Sequence, residues 1–152
     1  MSAIKRQSIE IAKEEACRLW AYCGAQYVND DFLLKEIGHQ VLRSISSFSL
    51  AARRVLESYP KDHKFSLNSS PWSRGADNQE LSLESDLWES LNLVIHAREL
   101  RVMFGTLTEG TYVSPSMVVT HAMVSTDRKA DRAIQPFAMA YAFLAHVQPS
   151  KA

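Results

Sequence analysis

The sequence has little cysteine, glycine and proline, and its charges balance. Only 5 Gly and 5 Pro occur among 152 residues, which excludes a collagen-like or low-complexity chain and predicts one ordinary domain over residues 1–152. Lys and Arg total 17, and Asp and Glu also total 17, so the formal charge is zero. The long-range field of a dedicated nucleic-acid binder is therefore missing, although the balance still allows a local basic patch.

The two cysteines and the lack of long apolar runs indicate the cellular compartment of the protein. Cys17 and Cys23 are the only two cysteines, and they fall in a segment with helical periodicity, where they project about 240° apart and cannot form a disulfide with each other. No stretch reaches the roughly 20 apolar residues that a membrane span needs, and the first residues hold no apolar core of a signal peptide. We expect a cytoplasmic protein that does not contact a membrane.

Apolar residues recur at helical spacing in three long segments. The first runs from about Ser2 to Val28, and the third from about Leu83 to Phe104. The second is the most regular, because its apolar residues repeat every seven positions until Pro60 ends the pattern. These residues are Leu34, Val41, Phe48 and Val55. The pattern predicts a second helix of about 30 residues.

The rest of the chain is less regular. Residues 61–80 have no periodicity and contain Pro71 and Gly75, which predicts a mobile or binding loop. The segment of about 111–148 predicts a β-hairpin followed by a short last helix. One strand of the hairpin covers Met117 to Ser125, and the second ends near Ile134. That helix is almost entirely apolar, so it must lie in the core or in a subunit interface.

These elements together predict a mainly α fold. It is a helical bundle with two long helices, a C-terminal β-hairpin and a short buried last helix. The long apolar stripe of the second helix needs an equally long packing partner, and the apolar last helix must be buried on all sides. Both features favour a homodimer, in which a second copy covers these surfaces.

Most known site motifs are absent. The chain has no glycine-rich phosphate loop, no G-x-S-x-G and no H-E-x-x-H, so we expect no cofactor. Glu36 with His39, and His96 with Glu99, could be compared with a di-iron helical bundle. The second pair runs in the reverse sense and further glutamates are missing, so the sequence predicts no metal site.

The third predicted helix carries the best candidate site. Projected on a helix, Glu89, Asn92, His96 and Glu99 form a polar stripe between two apolar arcs, which indicates polar groups that are at least half buried. Asn92 and His96 then either bond to each other and the backbone, or serve a function. In the functional reading His96 acts as an acid, a base or a phosphate contact, and Asn92 orients it.

Two arginines of the second helix are candidate anion ligands. Arg53 and Arg54 are either solvated surface residues or, if the two long helices pack antiparallel, neighbours of Glu89 and Asn92. A guanidinium beside the His96 ring would complete an anion pocket.

The segment Asn-Leu-Val-Ile-His-Ala-Arg, from Asn92 to Arg98, together with the long second helix, resembles the HEPN superfamily. The resemblance covers about residues 1–104 and implies a small helical domain that is often dimeric. Many members of the superfamily either cleave RNA without a metal ion or act as the partner of a nucleotidyltransferase. Catalytic members carry an Arg followed after four to six residues by His. Here Glu89, Ser90 and Leu91 occupy those positions before His96, so only His96 carries over.

Two functions follow. The first is a non-catalytic interaction or regulatory module, dimeric and able to bind a protein partner, because no complete catalytic set is present. The alternative is a HEPN-like, metal-independent RNA-cleaving or RNA-binding protein that uses His96.

Overall fold

The computed structural model describes residues 2–68, 83–108 and 115–147. Within these ranges it contains four helices and four strands. In chain order they are α1 (Ala3–Gly24), β1 (Tyr27–Val28), α2 (Asp31–Leu56), α3 (Leu87–Ile95), β2 (Ala97–Leu107), β3 (Ser116–Thr126), β4 (Arg132–Ile134) and α4 (Pro136–His146). The fold is mixed α/β, so the predicted mainly α helical bundle is wrong.

The four strands form one antiparallel sheet around β3. One edge of β3 pairs with β2 from Ala97 opposite Thr126 to Leu107 opposite Ser116, with register shifts at Arg98 of β2 and at Thr120 of β3. The other edge of β3 is shared by β1, at Ser116 and Met117, and by β4, at Ala122 to Val124. Consequently, among the strands that the structure describes, β2 has a partner on one side only.

The fold prediction fails at the third helix. Only Leu87–Ile95 is helical, and the chain then continues as β2 instead of remaining helical to Phe104. Leu100, Val102 and Phe104 lie at alternate positions and pack on the core, so this stretch also has the two-residue period of a strand. Pairing with β3, which is rich in β-branched residues, outweighs the local helix propensity of Ala97 to Arg101.

The helix starts follow from their capping residues. The Asp30 carboxylate accepts a hydrogen bond of 2.9 Å from the Leu33 amide and so begins α2. The Asp86 carboxylate accepts one of 3.1 Å from the Glu89 amide and begins α3. Pro136 occupies the first turn of α4, where its missing N–H costs nothing.

The core joins the helices to one face of the sheet. It includes Ile45 and Phe48 of α2, Leu19 of α1, and Val119 and Val124 of β3. The last helix is buried as predicted, and its Phe143 ring meets the Phe48 ring edge to face at 5.7 Å. Both apolar surfaces that favoured a dimer from sequence, the α2 stripe and α4, are thus largely covered within one chain.

None of the helices in residues 2–68, 83–108 and 115–147 is both long enough and apolar enough to span a membrane.

Candidate functional site

Two clefts lie on neighbouring parts of α3. The His96 cleft is at the C-terminal end of the helix and has a volume of about 430 Å³. It is lined by Glu89, Asn92, Leu93, His96 and residues 126–129. The Trp88 cleft lies near the start of the helix and has a volume of about 470 Å³.

The end of α3 and the β3–β4 turn build the His96 cleft. His96 is the C-terminal cap of α3, and its amide donates to the Asn92 carbonyl at 3.0 Å, so both residues are held one turn apart. Across the cleft, the Thr126 amide donates to the Lys129 carbonyl at 3.1 Å, and the Lys129 amide donates to Thr126 Oγ1 at 3.1 Å. The Arg98 guanidinium, 3.0 Å from the Asp127 carboxylate, links β2 to this turn.

Asn92 contributes an unsatisfied acceptor. Its Oδ1 atom is buried and accepts no hydrogen bond in the structure, so Asn92 Oδ1 and His96 do not form the internal pair that a purely structural role suggests. The His96 side chain is exposed at the cleft. A ligand that donates a hydrogen bond near Asn92 would remove the desolvation cost of that acceptor.

The charges of the His96 cleft are mixed. Glu89 and Asp127 are acidic, whereas Arg128 and Lys129 are basic. Arg98, which pairs with Asp127, adds a third positive charge at the border of the cleft, so positive charges slightly outnumber negative ones here. All these side chains except Glu89 are exposed, so individual ion pairs here are weak. The cleft offers an imidazole and a carboxylate next to two cations, a set that can bind an anion or transfer a proton.

The structure separates the predicted arginines from His96. Arg53 lies beside the start of α3, with its guanidinium 5.5 Å from the centre of the Trp88 ring, and it lines the Trp88 cleft. Arg54 is exposed on α2 and takes part in no ion pair among the described residues. Glu99, the last member of the predicted polar stripe, is on β2 and does not line the His96 cleft.

Arg128 is the guanidinium that the sequence reasoning missed in the His96 cleft. The polar segment from Thr126 to Lys129 was identified as a turn between two strands. Its position next to His96 depends on the long-range pairing of β2 with β3, which no local pattern reveals.

The Trp88 cleft combines aromatic and basic side chains. From α2 and the segment after it come Arg53, Leu56, Glu57, Tyr59, Pro60, Lys61, His63 and Phe65, and from α3 comes Trp88. The His63 ring lies 4.5 Å from the Phe65 ring and 5.5 Å from the Tyr59 ring, measured between centroids. The Tyr59 and Phe65 rings meet edge to face at 5.3 Å.

The cap of α3 fixes one wall of the Trp88 cleft. The Asp86 carboxylate accepts a hydrogen bond of 3.3 Å from the Phe65 amide, and the Leu87 amide donates to the Phe65 carbonyl at 3.0 Å. Residues 61–68 of the predicted loop are thus attached to α3 through Phe65, and residues 69–82 lie outside the described ranges. The lack of a period predicts a loop here, and the close spacing of His63 and Phe65 next to Lys61 and Lys64 is the signal that could have indicated a site.

The described side chains offer no metal site. Within the part of the chain that is described, no three His, Cys, Asp or Glu side chains are grouped to hold a metal ion. The chain matches no protein-family model, no curated protein and no solved structure.

Proposed function

We propose that this protein is a non-catalytic interaction module that associates with a second copy of itself through β2. The observation that carries the proposal is the outer edge of this strand, which is 11 residues long and pairs with β3 alone among the described strands. An open strand edge presents unpaired N–H and C=O groups, and a second strand satisfies them by adding to the sheet.

The charges of β2 favour a particular antiparallel register. If two β2 strands meet with Leu100 opposite Leu100, each Glu99 faces an Arg101 of the other copy. Centring the pair on Glu99 or on Arg101 instead places like charges opposite each other. Opposite charges across strands contribute about 0.2–1 kcal/mol per pair, and like charges are unfavourable. Glu99 has no ion pair within the described residues, and Arg101 has only a long contact of 3.7 Å with Asp131.

A charge-swap series tests this register. Analytical ultracentrifugation of the wild-type chain is expected to show a monomer–dimer equilibrium. Glu99→Arg and Arg101→Glu should each raise the dissociation constant at least about tenfold, because each creates two repulsive pairs. The double variant Glu99→Arg/Arg101→Glu should restore association.

The matched control is Glu10→Arg, an equal charge reversal on an exposed position of α1, which should leave association unchanged. Circular dichroism of each variant checks that the monomer is folded. A wild-type chain that is monomeric at all accessible concentrations contradicts the proposal. A double variant that associates no better than the single variants contradicts the register.

The two cysteine thiols favour the cytoplasm as the compartment for this function. Cys17 is exposed and Cys23 is buried, and neither forms a disulfide. Such thiols persist in a reducing environment.

A second candidate function is metal-independent binding or cleavage of RNA at His96, as the HEPN resemblance implies. It is favoured by the exposed His96 ring, which shares its cleft with Glu89, Arg128 and Lys129. In such a reaction one of His96 and Glu89 takes the proton of the 2′-hydroxyl and the other protonates the leaving oxygen, while the cations bind the phosphate.

Labelled RNA incubated with the protein in EDTA tests the second candidate. Cleavage should be lost in His96→Ala and retained in His39→Ala, which changes an exposed histidine of α2 that does not line this cleft. Wild-type protein that neither cleaves nor binds RNA excludes this candidate and leaves self-association through β2 untouched.

A further inference from the structure

We propose that the Trp88 cleft binds a nucleotide, with the base stacked on the exposed His63 ring and the phosphate held by Arg53. This site depends neither on pairing through β2 nor on chemistry at His96. The ligand is defined by its chemistry, which is an aromatic base carrying a phosphate. Such a group occurs as a free nucleoside monophosphate or as part of a single-stranded RNA.

Arg53 is positioned as an anion ligand with spare hydrogen-bonding capacity. Its guanidinium is held over the Trp88 ring at 5.5 Å, a cation–π geometry that fixes a flexible side chain. Its Nε atom is buried and makes no hydrogen bond, because the Glu57 carboxylate is 3.8 Å away. The side chain as a whole is 32% exposed and lines the cleft, so a phosphate can reach the part of the guanidinium that is not buried.

The aromatic wall provides the stacking surface. His63 is exposed and its ring lies 5.5 Å from that of Tyr59, which is partly exposed. The Phe65 ring contacts the His63 ring in a tilted arrangement, with the centroids 4.5 Å apart, and Phe65 is itself 7% exposed. Because Arg53 occupies a face of Trp88 and the Tyr59 and His63 rings are tilted by 46° to each other, the exposed His63 ring is the better platform for a base.

The size and charge of the cleft favour one nucleotide over a long nucleic acid. Its volume of about 470 Å³ lies within the range of small-molecule sites. Arg53 and Lys61 line the cleft together with a single carboxylate, Glu57, which favours an anion locally. The whole chain has no net charge, so it lacks the field that attracts an extended duplex or a long strand.

Isothermal titration calorimetry with adenosine monophosphate is the primary test. We expect binding that is at least about tenfold tighter than that of adenosine or of inorganic phosphate, because each fragment uses only one half of the site. An eight-nucleotide oligoadenylate titrated in parallel distinguishes the two sources of the ligand. Binding of the oligonucleotide alone assigns the site to single-stranded RNA, and binding of the monophosphate alone assigns it to a free nucleotide.

The variants separate the proposed contacts from general effects. Arg53→Ala and His63→Ala should each weaken binding about tenfold or more. The matched control is Arg54→Ala, which removes the neighbouring arginine of α2 that does not line the cleft, and it should bind like wild type. His63 is exposed, so its replacement tests the site even if Arg53→Ala proves less stable.

Three results would overturn the nucleotide site. The first is a folded wild-type protein that binds neither nucleotide probe at millimolar concentration. The second is inorganic phosphate binding as tightly as the monophosphate, which would remove the role of the rings. The third is unchanged binding in both Arg53→Ala and His63→Ala.

Discussion

Gly105 and Thr120 form a close contact where the pairing of β2 and β3 changes register. Between the pairs Met103–His121 and Phe104–Val119, Thr120 is the extra residue of a β-bulge. The Thr120 hydroxyl donates to the Met103 carbonyl at 3.2 Å, and its methyl group lies over Gly105. A Cβ atom at position 105 would be 2.7 Å from Thr120 Cγ2, so this contact requires glycine.

We therefore predict that Gly105→Ala lowers the free energy of unfolding by about 1–3 kcal/mol, the usual cost of overpacking. Thr120→Ser removes the methyl group and keeps the hydroxyl, so the double variant should recover most of the loss. Urea unfolding of the single and double variants measures this coupling. Equal destabilisation by Gly105→Ala with and without Thr120→Ser would contradict the contact.

His121 is the next residue and is a buried titratable group. It is 6% exposed, and its Nδ1 atom lies 2.9 Å from Thr120 Oγ1. Since the Thr120 hydroxyl gives its proton to the Met103 carbonyl, it accepts from His121, which places a proton on Nδ1. Burial disfavours the charged imidazolium and lowers the pKa of His121 below its ordinary value.

This shift predicts that acid destabilises the fold through His121. Below pH of about 6.5 the unfolded chain binds a proton at this residue while the folded chain resists it, so the free energy of unfolding falls as the pH drops. His121→Asn keeps a donor for Thr120 and should flatten the decrease between about pH 7.5 and 5.5. His39→Asn, at an exposed histidine, should keep the wild-type slope. Urea unfolding across this range is the measurement, and an unchanged slope in His121→Asn rejects the assignment.

At the scale of elements, the sequence predicted helices better than it predicted the sheet. α2 was recognised because a capping Asp, a helical apolar period and the stop at Pro60 agree locally, and α4 was recognised because Pro136 precedes a short apolar run. The stretch from Ala97 to Phe104 fits both a helical and a strand period, and only its distant partner β3 decides between them.

The same distinction between local and distant contacts explains the candidate site. Asn92 and His96 come together because they are one turn apart at the end of α3. The expected approach of Arg53 to the third helix occurs one turn earlier, at Trp88. Arg128 enters the His96 cleft only through the β3–β4 turn, and no spacing within the sequence indicates that contact.

Asp86 connects two elements, and its loss should affect both. Its carboxylate caps α3 through the Glu89 amide and also binds the Phe65 amide. We predict that Asp86→Ala lowers the free energy of unfolding by about 1–2 kcal/mol and speeds hydrogen exchange at the Phe65 amide. Asp30→Ala removes the equivalent cap of α2 and should cost a similar amount without changing exchange at Phe65.

Urea unfolding and amide exchange by NMR measure the two effects of Asp86→Ala. If both cap variants exchange alike at Phe65, then the wall of the Trp88 cleft does not depend on Asp86.

At the scale of the whole molecule, the two edges of the sheet differ. β1 and β4 pair with one edge of β3 at residues 116–117 and 122–124, whereas β2 ends the sheet on the other side within the described residues. The apolar surfaces of α2 and α4 are largely satisfied inside the chain, so they no longer provide a reason for a dimer. The reason that remains is the backbone of β2, and it concerns hydrogen bonds instead of apolar area.

This asymmetry predicts exchange behaviour that depends on concentration. Amides of β2 that point away from β3 are exposed in the monomer and should become protected when two β2 strands pair, whereas amides of α1 gain no protection by this route. Diluting the wild-type protein should speed exchange in residues 97–103, the span that overlaps when the register is centred on Leu100. Glu99→Arg should show the fast pattern at every concentration. Protection confined to residues 104–107 would place the contact at another register, and protection independent of both concentration and Glu99→Arg would show that the strand edge is not the contact between copies.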